Sequence, residues 1–281
     1  MELRVNHLLR YEYSSAVFLQ PHTLYLYPRI YPHQRLDRYT LRIDPKPDMQ
    51  VQNIDVEGNV QQIIYFNQSA DSLTVEAEMV VQSTVYNSFD FVLFPFEAQK
   101  LPFTYSASDQ ILLAPYLERV DVTSLVDQYA RQLASEAKWQ TVPFLSLVCT
   151  TIWRNFTYQV RQEGPAHSPE ETLTSRQGSC RDYTVLYIAI CRSLGLAARF
   201  VSGYLYGSPQ QEHELHAWAE VYLPGAGWRG FDPSEGSVVT NQHIFLAASR
   251  NHNQLAPLAG TFRGSAQSTM TATVTIAVAE Y

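Results

Sequence analysis

The run Gly178-Ser179-Cys180-Arg181-Asp182-Tyr183-Thr184-Val185-Leu186-Tyr187-Ile188-Ala189-Ile190-Cys191-Arg192-Ser193-Leu194-Gly195 reads as a helix with both ends marked. Ser179 stands before the apolar stretch and Asp182 three residues on, the form of a capping box. Gly195 is the stop signal, because a glycine takes the left-handed conformation that closes a helix. The pattern predicts a helix over 180–194 with Cys180 in its first turn. There the helix dipole and free N–H groups favour a thiolate, and the same N–H groups can donate to an oxyanion. An arbitrary cysteine is more often a small buried side chain. Cys149 and Cys191 take that bland reading, since each sits inside an apolar run.

Two strands follow, at 198–206 and 216–223, then Pro224-Gly225-Ala226-Gly227 and a third strand at 228–232. His216 enters the second strand and Asp232 ends the third. A cysteine nucleophile needs a base, and histidine is the usual one. An aspartate on the other ring nitrogen would fix the tautomer. The bland readings are a structural histidine and a turn before Pro233. Register discriminates. If Leu223 opposes Trp228 across four residues, Asp232 pairs with Ala219 and faces away from His216. An odd-length connection or a bulge pairs Asp232 with Trp218, on the His216 face and within reach. His213 and His216 also suggest metal ligands, but neither HExxH nor a CxxC pair is present. No metal and no cofactor is expected.

Further out, helices are predicted over 122–138 and 144–155, and a loop over 157–175. The proline-bearing stretch 95–120 reads as an inter-domain connection. The first ninety-odd residues alternate with period two: Leu3, Val5, His7, Leu9, Tyr11 and Tyr13 against a mostly polar even set. Similar short runs at 24–27, 39–43, 51–56, 60–66 and 73–81 predict an all-β sandwich-like domain, with Glu57-Gly58-Asn59 as a tight turn. A phase change between Val51 and Ile54 suggests a bulge. A last strand is predicted over 270–279. The division expected is 1–96 β-rich, 97–120 connection, 121–255 catalytic core and 256–281 a C-terminal strand segment.

The whole chain has 281 residues and a net charge of −7. That length supports a sizeable core without disulfides, and no long Lys/Arg run suggests a nucleic-acid partner. Apolar runs fall short of the ~18–20 residues that cross a bilayer as a helix, so no membrane partner is expected. Cys180 and Cys191, about 16 Å apart along such a helix, are too distant for a bridge. Three sparse cysteines and an N-terminus unlike a signal peptide suggest a cytoplasmic protein.

Together, the Gly178–Asp182 segment, the helix ending Arg192-Ser193-Leu194-Gly195-Leu196-Ala197-Ala198-Arg199, Val201-Ser202-Gly203-Tyr204, His216-Ala217-Trp218-Ala219-Glu220-Val221 and Gly227-Trp228 to Phe231-Asp232-Pro233 resemble the transglutaminase-like superfamily. More narrowly they resemble its bacterial branch, provisionally described as cysteine proteases. The N-terminal strand from His7 to Tyr13 and the Asp55-Val56-Glu57-Gly58-Asn59 turn resemble that branch too. The resemblance implies an α+β fold: the β-rich domain, then a papain-like core with a cysteine-bearing helix packed on an antiparallel sheet. It implies Cys180 as nucleophile, His216 as base and Asp232 as the orienting acid. It also implies a second oxyanion donor upstream of the cysteine, for which Trp153, Asn155 and Gln177 are candidates. The expected activity is amide hydrolysis or acyl transfer on a peptide or protein substrate through a thioester. Hydrolysis is favoured over crosslinking, which is unusual in a cytoplasmic enzyme. An inactive peptide-binding module and a coenzyme A-dependent acetyltransferase are the alternatives. Residues 1–95 are expected to supply no catalytic group, with Tyr25, Tyr27, Tyr31 and Tyr39 forming one wall of a substrate cleft.

Overall fold

The computed structural model of the chain describes residues 1–161, 164–207 and 214–278. The strands of the first half are β1 (Glu2–Leu19), β2 (His22–Leu24), β3 (Gln34–Asp44), β4 (Met49–Ile54), β5 (Val60–Tyr65) and β6 (Ser69–Ser83). Helices α1 (Ala107–Leu113), α2 (Ser124–Glu136) and α3 (Thr141–Asn155) follow, then β7 (Thr157–Tyr158), α4 (Pro169–Ser175), β8 (Gln177–Gly178) and α5 (Cys180–Ser193). The chain continues as β9 (Ala198–Leu205), β10 (Leu215–Leu223), β11 (Gly227–Asp232), β12 (Ser237–Val238) and β13 (His243–Ser249). It closes with β14 (Leu258–Ala259), β15 (Phe262–Arg263) and β16 (Ser268–Val278).

The fold is α+β. The period-two face of β1 is buried at Leu3, Val5, His7 and Leu9, and its partner β6 buries Leu73, Val75, Ala77, Met79 and Val81. In that first sheet β6 lies between β1 and β3, while β16 and β15 pair with the other edge of β1. A second sheet has the order β14-β2-β5-β4. The C-terminal segment therefore returns to complete both N-terminal sheets. β4 pairs with β5 without a register shift, so the bulge expected near Val51 is absent. Every residue of β4 is exposed; with no face buried, nothing forces its side chains to alternate.

The core sheet runs β12-β11-β10-β9-β13, antiparallel throughout. Helix α5 packs on β9 and β10 and on α2, α3 and α4. All of α5 is buried except Arg181, as expected of a helix that is apolar on nearly every side. Its end is a Schellman closure: Leu196 N–H donates to the Cys191 carbonyl, Gly195 N–H donates to Arg192, and Gly195 has φ +79°. Gly203 is dictated by packing, because a Cβ there would lie 2.1 Å from the Ile244 carbonyl oxygen and 2.5 Å from the Trp218 ring.

Two predicted loops contain short helices. α1 lies in the stretch read as a connection and α4 in 157–175. Each carries a serine N-cap: Ser106 accepts from Asp109 N–H and Ser168 from Glu171 N–H. Both are too short to display a helical period. Ala98 and Leu101, in the stretch read as a connection, are buried in the core cluster with α2, α3 and α5.

β13 is an edge strand, and two side-chain amides cover its free edge. Gln34 accepts from Phe245 N–H (2.8 Å) and donates to the Phe245 carbonyl (3.0 Å). Asn59 does the same at Ala248, accepting at 2.8 Å and donating at 2.9 Å. Asp55 holds that asparagine by accepting from its N–H at 2.8 Å and its Nδ2 at 2.9 Å. The Asp-x-x-Gly-Asn turn thus docks the β-rich half onto the core by satisfying backbone groups that an edge leaves open. Asn59→Ala strips both partners from Ala248 and is expected to destabilise the chain by about 2–3 kcal/mol, read as a lowered midpoint in urea denaturation.

Candidate active site

Asp182 organises the start of α5. Its Oδ2 accepts from Ser179 N–H (2.7 Å) and from the Ser179 hydroxyl (2.9 Å). Its Oδ1 accepts from His167 N–H at 2.7 Å, and Arg161 Nη1 donates to both oxygens at 2.8 Å. Burial pushes this carboxyl up, but the Ser179 and His167 N–H groups and Arg161 together hold it below the ordinary range. A Cβ on Gly178 would lie 2.7 Å from the Asp182 Cβ, so this approach needs glycine. The capping box read from sequence is present. The engagement of Arg161 and His167, fifteen to twenty-one residues upstream, carried no local signal.

Cys180 is the first residue of α5 and only 3% exposed, and it opens onto a cleft of about 390 Å³ that His216 also lines. Leu223 pairs with Gly227, so the β10–β11 connection has the odd length that the register argument requires. Asp232 then falls on the His216 face, and Asp232 Oδ2 lies 2.6 Å from His216 Nε2. Burial opposes a charge on His216, but the Asp232 carboxylate and the neighbouring Cys180 sulfur outweigh it and push the imidazole up to about 10. Asp232 is wholly buried; burial alone would raise its carboxyl, yet His216 and His243 hold it far below the carboxylate range. With Nε2 taken by Asp232, the ring nitrogen left for Cys180 is Nδ1. The structure therefore joins His216 to Asp232, and Cys180 lines the same cleft as His216. His213 lies outside the described residues.

The pair's contribution to stability has two limits. Asp232, depressed, stabilises above its ordinary value of 3.8 and loses that effect as pH falls. His216, raised, stabilises fully below 6.5 and loses the effect as pH rises through about 10.

Sequence reasoning missed His243. Its Nε2 lies 3.1 Å from the same Asp232 Oδ2, and the ligand-type atoms of His216, Asp232 and His243 fall within 4.8 Å of one another. Thr240 N–H donates to His243 Nδ1 at 3.1 Å. A neutral histidine binding metal through Nε2 carries its proton on Nδ1, where it would face that amide donor. The trio is set for hydrogen bonding rather than coordination.

None of the three upstream oxyanion candidates lines the cleft. Trp153 packs over Gly236, where a Cβ would meet it at 2.8 Å. Gln177 accepts from Gln159 at 2.7 Å, and Asn155 is exposed at the end of α3. Tyr158 on β7 does not line the cleft either, but its phenol lies close enough to Cys180 to feel the charge of the sulfur. Burial, and then the Cys180 charge, push its phenol up, so its O–H stays protonated and able to donate.

The tyrosine wall expected between 25 and 39 is also corrected. Tyr31 leaves the N-terminal half but enters the core, where its hydroxyl donates to Glu220 at 2.9 Å beside the buried Arg199–Glu220 pair (2.7 Å). Tyr25 bonds Asp55 and Tyr27 packs on Tyr39. The cleft wall comes instead from His7, Leu9 and Tyr11 of β1 and Met270, Ala272 and Val274 of β16. These follow the pairing of β1 with β16, which puts His7 opposite Val274. Burial lowers His7 to about 4, and it shares a 2.9 Å hydrogen bond with the Tyr204 hydroxyl. It is a neutral wall residue.

A thiol at a helix N-terminus, set against a histidine–aspartate pair on an antiparallel sheet, defines the papain-like α+β class. Within that class the chain belongs to the transglutaminase-like superfamily. The family model "Transglutaminase-like superfamily" matches residues 127–233, and "Bacterial transglutaminase-like N-terminal region" matches residues 3–82. An uncharacterized protein of Mycobacterium tuberculosis is 29% identical over 276 residues, covering 92% of this chain and 86% of its own length. A provisionally assigned cysteine protease from Cytophaga hutchinsonii has the same fold, with a TM-score of 0.72 and 19% identity over 100% of this chain and 92% of its own. The periplasmic domain of TgpA from Pseudomonas aeruginosa also matches, with a TM-score of 0.34 and 14% identity over 82% of this chain and 90% of its own. With periplasmic domains among the similar structures, the cytoplasmic location expected from sequence is withdrawn. That none of the three buried cysteines is in a disulfide is compatible with either compartment. No helix among the described residues is long and apolar enough to cross a membrane, which does not fix a location.

Limited iodoacetamide at pH 6–7 should label Cys180 first, with the label located by peptide mass spectrometry. Burial raises Cys149 and Cys191 above the ordinary thiol range, whereas Cys180 has the imidazole beside it. Preferential labelling of either other cysteine would contradict the assignment.

Proposed function

We propose that the chain is a thiol enzyme that transfers the acyl group of a peptide or protein amide. Cys180 is the nucleophile, His216 the base and Asp232 the residue that orients it. The observation that carries this reading is the 2.6 Å His216–Asp232 hydrogen bond beside a cysteine at a helix N-terminus, in a cleft.

The thiol proton passes to His216, and the sulfur attacks the amide carbon. The carbonyl oxygen becomes an oxyanion that accepts from the Cys180 N–H and the Tyr158 hydroxyl. The C–N bond then breaks, the imidazolium gives its proton to the departing amine, and a thioester remains. His216 next takes a proton from the acceptor, water or an amine, which attacks the thioester and frees the thiol. The buried Asp232 carboxylate stabilises the imidazolium at both steps. The preference for water over an amine rested on a cytoplasmic location and is withdrawn with it. The paired strands β1 and β16 supply the wall of the cleft and no reacting group.

The test is incubation of the full-length protein and Cys180→Ala with a peptide library, read by mass spectrometry. Cleavage, deamidation and crosslinking leave different mass changes, and Cys180→Ala should give none of them. Acetyl transfer to Cys180 from acetyl-coenzyme A, without any change to the peptides, would overturn the amide reading. Asp232→Asn should lower turnover by roughly 10²–10⁴-fold with the fold kept. Tyr158→Phe should lower kcat by roughly 10²–10³-fold with little change in KM, the mark of a donor used in the transition state.

A further inference from the structure

His243 reaches the site from β13, a strand that carries neither the thiol nor the base. Its tautomer is fixed by the backbone. A peptide N–H only donates, so the Thr240 amide 3.1 Å from Nδ1 makes that nitrogen the acceptor. The neutral ring then carries its proton on Nε2, which donates to Asp232 Oδ2 at 3.1 Å. The same oxygen accepts from His216 Nε2 at 2.6 Å. Asp232 Oδ1 is filled separately, by Ser234 N–H (3.0 Å), the Ser234 hydroxyl (2.6 Å) and Glu235 N–H (3.3 Å). The carboxylate thus has donors on both oxygens, and two imidazoles share one of them.

We propose that His243 is a positioning residue for the reaction: by donating to Asp232 Oδ2 it pins the carboxylate under His216 and limits how strongly that carboxylate holds the imidazolium. The proposal rests on Cys180 and His216 being the reacting pair. A carboxylate oxygen shared between two donors gives less to each. His216 is then left acidic enough to return its proton to the departing amine. The setting of His243 is rigid: its ring meets Trp218 edge-on at 5.1 Å, and Trp218 is wedged against Gly203 and Phe245. The titratable groups facing it are His216 from β10, Asp232 from β11 and His33 from the segment before β3. His33 is lowered to about 4 by burial and stays neutral in the working range.

The experiment is the pH profile of Cys180 alkylation by iodoacetamide in the full-length protein, for wild type, His243→Asn and His243→Gln. Asparagine can still accept from Thr240 N–H but is too short to reach Asp232; glutamine reaches Asp232. Removal of the shared donor should move the alkaline limb, where the imidazolium loses its proton, upward by roughly 0.5–1 pH unit in His243→Asn. His243→Gln should restore it. An unmoved or lowered limb in His243→Asn overturns the role of His243, as does an equal shift in both variants. A wild-type profile that tracks an ordinary thiol near about 8.5 instead overturns the Cys180–His216 pair itself. Nitrogen-15 NMR of histidine-labelled wild-type protein needs no variant to fold. It should show His243 protonated on Nε2 and bare on Nδ1 at neutral pH, and the opposite tautomer would overturn the proposal.

Discussion

Helix α5 is buried along its whole length apart from Arg181, and the rest of the molecule is arranged around that burial. A helix with no solvent-facing side needs cover all round, and α2, α3 and α4 with β9 and β10 provide it. Its first turn also presents N–H groups without intrahelical partners. Asp182 satisfies the adjoining Ser179, and Arg161 and the His167 amide balance the charge of Asp182. A buried carboxylate is tolerated only when so many donors surround it. The chain segment upstream is therefore folded back against the helix start, and Cys180 is left facing the cleft.

The second buried carboxylate repeats this logic with a chemical consequence. Asp232 is fully enclosed, and its donors come from β10, β13 and the turn that follows it. The sheet order places β10 between β11 and β9 and puts β13 on the far side of β9. The two histidines that meet at Asp232 thus come from non-neighbouring strands. The charge on Asp232 stabilises that convergence, and the convergence keeps Asp232 ionised.

The β-rich half matters to the site in two physical ways. Its carboxamides, Gln34 and Asn59, stand where another strand would pair with β13. Its first and last strands, β1 and β16, raise the apolar wall opposite Cys180. A cleft between two packed units is the usual place for a ligand site, and here the wall exists only because the C-terminal strand returns to the first one.

The sequence by itself determined the elements whose signal is local. The Ser179–Asp182 box and Gly195 mark both ends of α5, the odd positions of β1 mark its buried face, and the Pro224–Gly227 connection admits the register that joins His216 to Asp232. Each follows from a period, a cap or a turn that a few adjacent residues carry. Tertiary structure alone decided what converges on those elements: Arg161 on Asp182, Tyr158 on Cys180, His243 on Asp232, and β16 rather than the tyrosine-rich stretch on the cleft. These partners lie on different segments, and no spacing relates them. What draws them together is the need of buried charges and open backbone groups for partners, which arises only once the chain has packed.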